Sequence, residues 1–239
     1  VAGRTVDWRK GDESAHRQRH RAAAWVPRHQ SQLFVIARPH AVPAPRLSTR
    51  TWRRTVSTMS GKIVVAGADE SGLLYGCLEL ARRLKAGESI TAPVSDAPVM
   101  VLRGPCIGMQ KTYYLPGRKV YEYPYTPEEF PFFYDKAYWT EYLDYLADLR
   151  RNTLYLWNGH PFASLVRLPE YPDAVEVAPE VFARNVEMFR WLAAECDRRG
   201  IWLVQQFYSI LISKPLAEKH GLSTQLHAWN DLAADYTRK

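Results

Sequence analysis

The sequence has 239 residues, of which 46% are hydrophobic and 24% charged, a composition typical of a globular protein with one domain or two small ones. No run approaches the roughly 18 consecutive apolar residues of a membrane span, which argues against a transmembrane protein. The net charge of +7 is unevenly distributed, because residues 1–60 carry 12 basic and 3 acidic side chains. The body of the chain therefore gives no electrostatic support for a nucleic-acid partner.

Residues 1–60 differ in composition from the rest of the chain. They are rich in Arg, His, Ala, Pro and Ser, and their apolar residues cluster only in the short strand-like run 33–37. We interpret residues 1–60 as a poorly ordered basic extension, either native or the product of a misplaced translation start. A tail that contacts nucleic acid is the alternative, disfavoured because aromatic and basic residues do not alternate regularly.

A strand, a turn and an amphipathic helix are predicted directly after this extension. The run 62–67 is typical of a short buried strand that ends on glycine. Asp69 offers an N-cap, and apolar residues then recur at spacings of four, three and four, which predicts a helix that Gly87 ends. We assign residues 61–97 to the C-terminal part of a small accessory α/β domain.

Residues 98–239 alternate between apolar strands and helices. Strands are predicted at 99–102, 153–157 and 201–204, with one helix over about 136–150 capped by Asp135 and another beginning at Pro179. This alternation indicates an α/β fold with parallel strands covered by helices. The strands lie about 50 residues apart, and an eight-unit barrel at that spacing needs roughly 400 residues. We therefore expect only the first three or so βα units of an incomplete TIM-type barrel.

The turn Gly67-Ala68-Asp69-Glu70-Ser71-Gly72-Leu73-Leu74-Tyr75-Gly76 resembles that of a small domain found in glycoside hydrolases. This domain precedes the catalytic barrel in family 67 α-glucuronidases and family 20 β-hexosaminidases. The runs Asn152-Thr153-Leu154-Tyr155-Leu156-Trp157 and Arg199-Gly200-Ile201-Trp202-Leu203-Val204 resemble barrel segments of the same proteins. The resemblance covers about residues 61–239, and the stretch 103–134 most resembles bacterial family 67-like proteins.

This resemblance implies carboxylate-driven hydrolysis of a glycosidic bond by an intact protein. In these families the catalytic carboxylates come from later strands, so no catalytic residue is assigned and the chain alone is predicted to be inactive. Six loop carboxylates lie on the expected side of the barrel, and we interpret them as solvated charges. They are Glu122, Glu128, Glu129, Glu170, Asp173 and Glu176.

Candidate sugar-binding residues follow the predicted strands, because function in such barrels collects at the carboxyl ends of strands. The loop 113–134 is rich in aromatic rings, which suit the C–H faces of sugars, although the loop could equally pack on itself. The candidates are Arg103, Lys111, Tyr113 and Tyr114 after the first strand, Asn158 and His160 after the second, and Gln206 and Tyr208 after the third.

Each polar candidate has a specific chemical reason. The planar guanidinium of Arg103 suits a diol or a carboxylate, and by resemblance it matches a sugar-binding arginine of family 20; a structural ion pair is the alternative. Lys111 could meet a uronate carboxylate or remain a solvated loop residue. Asn158 and His160 offer a donor and acceptor pair for sugar hydroxyls, and His160 could act as an acid or base or only position its neighbours.

No cofactor and no metal is predicted, since neither a phosphate-binding glycine loop nor a metal motif appears. The three widely separated cysteines are interpreted as buried free thiols. The expected partner is an oligosaccharide or a uronic-acid-containing glycan, with self-association through the open barrel as a further expectation. Two alternatives stay open: a non-catalytic carbohydrate-binding or scaffold protein, and a nucleic-acid-associated protein acting through residues 1–60.

Overall fold

The computed structural model describes residues 33–36, 54–59, 62–90, 92–118, 122–207, 211–226 and 230–239. They form a mixed four-stranded sheet followed by a parallel three-stranded sheet. The strands of the first sheet are β1 (Leu33–Ile36), β2 (Arg54–Met59), β3 (Lys62–Gly67) and β4 (Val94–Asp96), in the spatial order β1-β3-β2-β4. Only β1 runs parallel to β3, whereas β2 is antiparallel to both β3 and β4.

Two strands of this sheet come from the segment interpreted as a poorly ordered extension. Both β1 and β2 pair with β3, so these two stretches differ from that prediction. The remaining residues of 1–60, and with them the proposed nucleic-acid tail, lie outside the described residues. The basic segment therefore contributes at least two strands to the first sheet.

Helix α1 (Glu70–Lys85) follows β3 as the sequence predicts. The Asp69 carboxylate accepts a hydrogen bond from the Gly72 amide at 2.7 Å, which satisfies one of the unpaired amides of the first turn. Leu80 packs with Val65 of β3 in a small core, while Leu84 at the end of the apolar stripe is exposed. The capped turn thus anchors α1 against the first sheet.

The second sheet contains β5 (Cys106–Gly108), β6 (Thr153–Asn158) and β7 (Trp202–Phe207), in that order and all parallel. Helix α2 (Lys136–Asp148) connects β5 to β6, and α4 (Pro179–Arg198) connects β6 to β7. The short helix α3 (Phe162–Leu165) follows β6, and α5 (Lys214–His220) and α6 (Asp231–Arg238) follow β7. The predicted α/β fold with a parallel sheet and covering helices is confirmed.

The two faces of the parallel sheet have different environments. Leu154 and Leu156 of β6 are fully buried in a core formed with α2 and α4. Because side chains alternate along a strand, Tyr155 and Trp157 point to the opposite face, which we call the open face. The helical core residues are Trp139, Leu143, Leu146, Met188, Leu192 and Cys196.

The cysteines follow this difference between the faces. Cys196 is buried in the helix-facing core and Cys77 is half-buried, whereas Cys106 pairs with Tyr155 in the sheet and is exposed. The expectation of buried thiols is therefore wrong for Cys106.

The strand predicted at residues 99–102 is wrong, and the first parallel strand begins only at Cys106. Val99 is fully exposed, and the backbone of this stretch bonds to the side chains of Arg103 and Asn152 instead of to a strand. The Asn152 amide donates to the Val101 carbonyl at 2.8 Å, and its Oδ1 accepts from the Arg103 amide at 2.7 Å. An apolar loop segment and a strand look alike in sequence. Here the buried side chain of Asn152 makes hydrogen bonds that a neighbouring strand would otherwise make.

The next residue along the chain, Gly104, lies directly against the backbone at the beginning of β6. A Cβ atom at this position would overlap the carbonyl oxygen of Thr153, which belongs to the backbone and cannot rotate away. The chain can therefore make this approach only with glycine.

Candidate functional site

The three parallel strands end at the same side of their sheet, which we call the carboxyl end. Gly108, Trp157 and Gln206 lie opposite one another in the register of the three strands. The following loops begin at Met109, Gly159 and the residues after Phe207. In parallel α/β folds, the loops at this end carry binding and catalytic groups. The predicted site residues are therefore compared with this end of the sheet.

Arg103 lies at the opposite end, because it precedes β5 instead of ending a strand. Its guanidinium donates to the Arg150 carbonyl through Nε and Nη2 at 3.2 and 3.1 Å, and to the Met100 carbonyl at 2.6 Å. A cavity of about 260 Å³ lies beside it, at the amino end of the sheet. The strand-end position on which its predicted sugar contact depended is thus wrong. The cavity is lined by Gly72, Tyr75, Asp96, Pro98, Arg103, Leu149, Arg150 and Arg151.

Asn158 ends β6 but its side chain is fully buried. Its amide donates to the Tyr123 carbonyl at 2.9 Å and to the Met109 carbonyl at 3.3 Å. Its Oδ1 accepts from the His160 amide at 3.0 Å. These bonds join the end of β6 to the loop after β5, so the side chain holds two loops together.

His160 is also buried, behind helix α6. Its Nε2 lies 3.0 Å from the Tyr236 hydroxyl, and its ring packs edge-on against those of Tyr236 and Phe162. Burial, assisted by the positive charge of Arg118, lowers the pKa of His160 to about 4. The imidazole is therefore neutral near pH 7 and joins α6 to the loop after β6.

The first part of the loop after β5 is accessible at the carboxyl end. Lys111 forms an ion pair with Glu129 and is about one-third exposed, while the rings of Tyr113 and Tyr114 are 53% and 51% exposed. Tyr113 also packs edge-on against Tyr123, with ring centroids 6.0 Å apart. A cation and two partly exposed tyrosines thus lie in one short stretch, with the Lys111 ammonium 5.8 Å from the centroid of the Tyr113 ring.

The second part of the same loop packs on itself and on the helices. Tyr125 stacks on Phe133 with ring centroids 4.8 Å apart and donates its hydroxyl proton to Gln205 at 3.0 Å. The buried rings of this part are Tyr123, Tyr125, Phe130 and Phe133. The interpretation that the loop packs on itself is therefore confirmed for this second part, whereas sugar binding by the first part stays a prediction.

Gln206 is exposed near the end of β7, in register with Trp157 of β6. The neighbouring Gln205 points the other way, because its amide donates to the Leu156 carbonyl at 2.9 Å. Tyr208, the other candidate after this strand, lies outside the described residues. Gln206, which was predicted to follow the third strand, thus lies within β7 and on the open face.

A buried charge network, absent from the sequence-based expectations, joins the loops after the three strands. Arg118 donates to Glu122 at 2.7 Å and to Glu176 at 3.1 Å, and all three side chains are at most 6% exposed. The Thr224 hydroxyl donates to Glu122 at 2.6 Å, and the Lys214 amide donates to Glu176 at 3.0 Å. The interpretation of Glu122 and Glu176 as solvated charges is therefore wrong.

The electrostatics of this network favour a structural role. Burial raises the pKa of Glu122, while the Thr224 hydroxyl and Arg118 oppose that rise. Both oxygens of Glu122 and both oxygens of Glu176 already accept hydrogen bonds. We therefore assign neither carboxylate a catalytic role. Arg118 and Glu122 are four residues apart, but Glu176 and Thr224 join them from 58 and 102 residues away, so spacing alone did not indicate the network.

The described ranges contain neither a metal-binding cluster nor a membrane-spanning helix. No cluster of three or more His, Cys, Asp or Glu side chains is placed there to hold a metal ion. None of the helices described has the length and apolar character needed to cross a membrane.

Comparison with solved structures identifies a GH138 enzyme targeting pectin rhamnogalacturonan II. The two chains share 54% sequence identity and superpose with a TM-score of 0.75 over 78% of this chain. This chain is related to a glycoside hydrolase. It spans only 22% of the length of that enzyme.

A second solved structure, the Flavobacterium johnsoniae chitobiase FjGH20, has 14% identity and a TM-score of 0.48, over 82% of this chain and 27% of the chitobiase. Similarity at this level carries no argument about function. No family model and no curated protein sequence matches the chain. The general resemblance to glycoside hydrolases is confirmed, whereas the specific resemblances to families 67 and 20 stay predictions.

Proposed function

We propose that this chain is part of a glycoside hydrolase that acts on a pectic glycan of the rhamnogalacturonan II type. The observation that supports this proposal is its 54% identity, over 78% of its length, with an enzyme targeting that polysaccharide. The carboxyl end of the parallel sheet supplies one wall of the glycan-binding surface. This location follows the general placement of binding groups in parallel α/β folds.

Four of the predicted residues form this wall: Lys111, Tyr113, Tyr114 and Gln206. The two tyrosines offer exposed rings to the C–H faces of sugars, and Gln206 offers an amide to their hydroxyls. Lys111 supplies a cation for a uronate carboxylate, in exchange for its contact with Glu129. Tyr208 stays a proposed contact that lies outside the described residues.

Arg103, Asn158 and His160 are left out of the proposed wall. Arg103 lies at the amino end of the sheet, and the side chains of Asn158 and His160 are buried among other protein groups. Because Glu122 and Glu176 are held by Arg118, we also propose that this chain by itself does not hydrolyse glycans.

Calorimetric titration of the 239-residue chain with rhamnogalacturonan II oligosaccharides tests the proposal. We expect measurable binding that Tyr113→Ala and Tyr114→Ala each weaken several-fold. Lys136→Ala is the matched control, because Lys136 is an exposed, ion-paired lysine on α2. Absence of binding by the unaltered chain would overturn the proposal. Release of reducing sugar by the pure chain would overturn the proposed inactivity.

Self-association is a separate part of the proposal. Within the described residues, β5 and β7 each have one neighbouring strand, so each leaves one row of backbone groups without a strand partner. Such edges pair readily with other strands. Sedimentation velocity over a range of concentrations should show oligomers that increase with concentration. A single monomeric boundary throughout would contradict this expectation.

A further inference from the structure

The cavity at the amino end of the parallel sheet has no part in the proposed function. Its volume of about 260 Å³ is far more than a water molecule requires. Arg103, Arg150 and Arg151 line it, whereas Asp96 supplies the one acidic side chain of the lining. The remaining lining residues are Gly72, Tyr75, Pro98 and Leu149. The cavity therefore has room for a small molecule and carries more positive than negative charge on its walls.

The Arg103 guanidinium is held in place by neutral groups of the backbone. Its Nη1 donates to the Met100 and Val101 carbonyls at 2.6 and 3.3 Å. Carbonyl oxygens orient a guanidinium but do not cancel its charge. Burial lowers the pKa of Arg103; Tyr75 opposes this lowering, and the charge of Arg151 adds to it. The like charges of Arg103 and Arg151 thus repel each other beside the cavity.

The carboxylates near the cavity are engaged in other contacts. Glu79 contacts Arg150 but also pairs with two arginines of α1, so one carboxylate serves three cations. Asp96 of β4 lies 3.9 Å from Nη1 of Arg150. Asp69 accepts the hydrogen bond from the Gly72 amide at the first turn of α1. The lining therefore keeps an excess of positive charge.

We propose that this cavity binds a phosphate group, either the free ion or a monoester of a small molecule. A phosphate monoester carries a charge of about −1.5 to −2 near pH 7, which suits a lining with three arginines and one carboxylate. Guanidinium groups donate paired hydrogen bonds to phosphate oxygens. Arg151 is exposed and supplies these bonds, while Arg103 supplies a fixed charge. The site is separate from the proposed glycan wall, which lies at the carboxyl end of the sheet.

Calorimetric titration of the full 239-residue chain with inorganic phosphate tests the proposal. We expect saturable one-to-one binding that Arg151→Met weakens about tenfold, because a charge-assisted contact is lost. Asp96→Asn should strengthen binding about threefold, because it removes the opposing charge from the lining. Arg190→Met is the matched control and should bind like the unaltered chain, since Arg190 is an exposed arginine on α4 outside the lining. Circular dichroism melting verifies that each variant has kept its fold.

Other ligands identify the source of the phosphate group. Tighter binding of glucose 6-phosphate than of inorganic phosphate would indicate a phosphorylated small molecule, and the reverse order would indicate the free ion. Galacturonate should bind more weakly than either, because its carboxylate carries a single charge.

Three outcomes would overturn the proposal. The first is that neither form of phosphate binds to the unaltered chain. The second is that Arg151→Met and Asp96→Asn leave phosphate binding unchanged, since the ion would then lie elsewhere. The third is that galacturonate binds as tightly as phosphate, which would contradict the assignment of a doubly charged ligand. The proposed glycan binding is measured separately and does not depend on these results.

Discussion

The two ends of the parallel sheet both bury carboxylates against arginines, but with opposite arrangements. At the carboxyl end, one buried cation, Arg118, serves two buried carboxylates from different loops. At the amino end, one buried carboxylate, Glu79, receives three arginines that reach solvent to different extents. The arginines around Glu79 are Arg82, Arg83 and Arg150, at 52%, 20% and 37% exposure.

This difference indicates what each end does. Removing the cation at the carboxyl end would leave two charges without water, whereas arginines freed at the amino end can be hydrated. The carboxyl end thus holds three loops rigidly while keeping Tyr113, Tyr114 and Gln206 accessible. The amino end instead fastens α1 to the turn before β6, since Arg150 of that turn contacts Glu79 at 2.5 Å.

The largest expected effect is that of Arg118→Met. The variant leaves Glu122 and Glu176 buried without their cation, and we expect it to lose about 3–5 kcal/mol of unfolding free energy. Urea unfolding followed by circular dichroism measures this change. The double variant Glu122→Gln/Glu176→Gln in the Arg118→Met background should recover part of the loss. A loss below about 1 kcal/mol for Arg118→Met would contradict the assignment of a buried network.

His160 should make the carboxyl end sensitive to acid. Its folded-state pKa of about 4 is lower than the usual value near 6.5, so between these values the unfolded chain binds more protons. Stability is therefore fully present above about pH 6.5 and falls as pH decreases towards about 4, by about 3 kcal/mol in total.

The variant His160→Gln isolates this contribution, because glutamine can still bond to Tyr236 but does not titrate. Urea unfolding of both proteins from pH 7 to pH 4 gives the difference in stability. The raised pKa of Glu122 acts in the opposite direction but is present in both proteins. A difference that stays constant across this range would show that His160 is not buried in its neutral form.

At the amino end, Glu79→Gln should have a smaller effect. The amide keeps one acceptor oxygen but loses the charge that attracts three arginines, so we expect a loss of about 1–3 kcal/mol in urea unfolding. Binding of rhamnogalacturonan II oligosaccharides should be unchanged, since the site lies at the other end of the sheet. Weaker binding by a folded Glu79→Gln protein would show that the two ends are not independent.

The smallest effect on stability is expected for Lys111→Met. The ion pair with Glu129 is partly exposed, and such pairs contribute little to folding. Urea unfolding should therefore be indistinguishable from that of the unaltered chain, while affinity for acidic oligosaccharides falls. The difference in affinity should shrink at high salt, because screening weakens charge contacts. A loss of stability comparable to that of Arg118→Met would remove the distinction between solvent-facing and buried ion pairs.

The sequence predicted helices α1, α2 and α4 well because their signals are local, whereas α3, α5 and α6 were not predicted. Asp69 and Asp135 each accept a bond from the amide three residues later, as capping residues do. The sequence could not show that residues 99–102 form no strand, since their apolar pattern resembles one. Their bonding partner, Asn152, lies about fifty residues away along the chain. Local patterns determine helix ends, but pairing partners depend on the tertiary fold.

The candidate site was predicted in part for the same reason. Exposure of Tyr113 and Gln206 followed from their place in strand-end segments, whereas burial of Glu122 depends on Arg118 and Thr224 meeting it from different directions. The open face of β6 was missed because its apolar strand was considered as a whole. The alternation of Tyr155 and Trp157 with Leu154 and Leu156 would have indicated a separate face.

The connection between the four-stranded sheet and the parallel sheet does not tolerate a change at Gly104. A flexible linker in its place would lose the close approach to Thr153, because only a glycine backbone fits there. Even Gly104→Ala would push residue 104 away from the Thr153 backbone and would move the Arg103 amide away from the Asn152 side chain. Residues 103–104 therefore fix the path of the chain at this point. A truncated form of this protein should begin or end before residue 103 or after residue 104, and not between them.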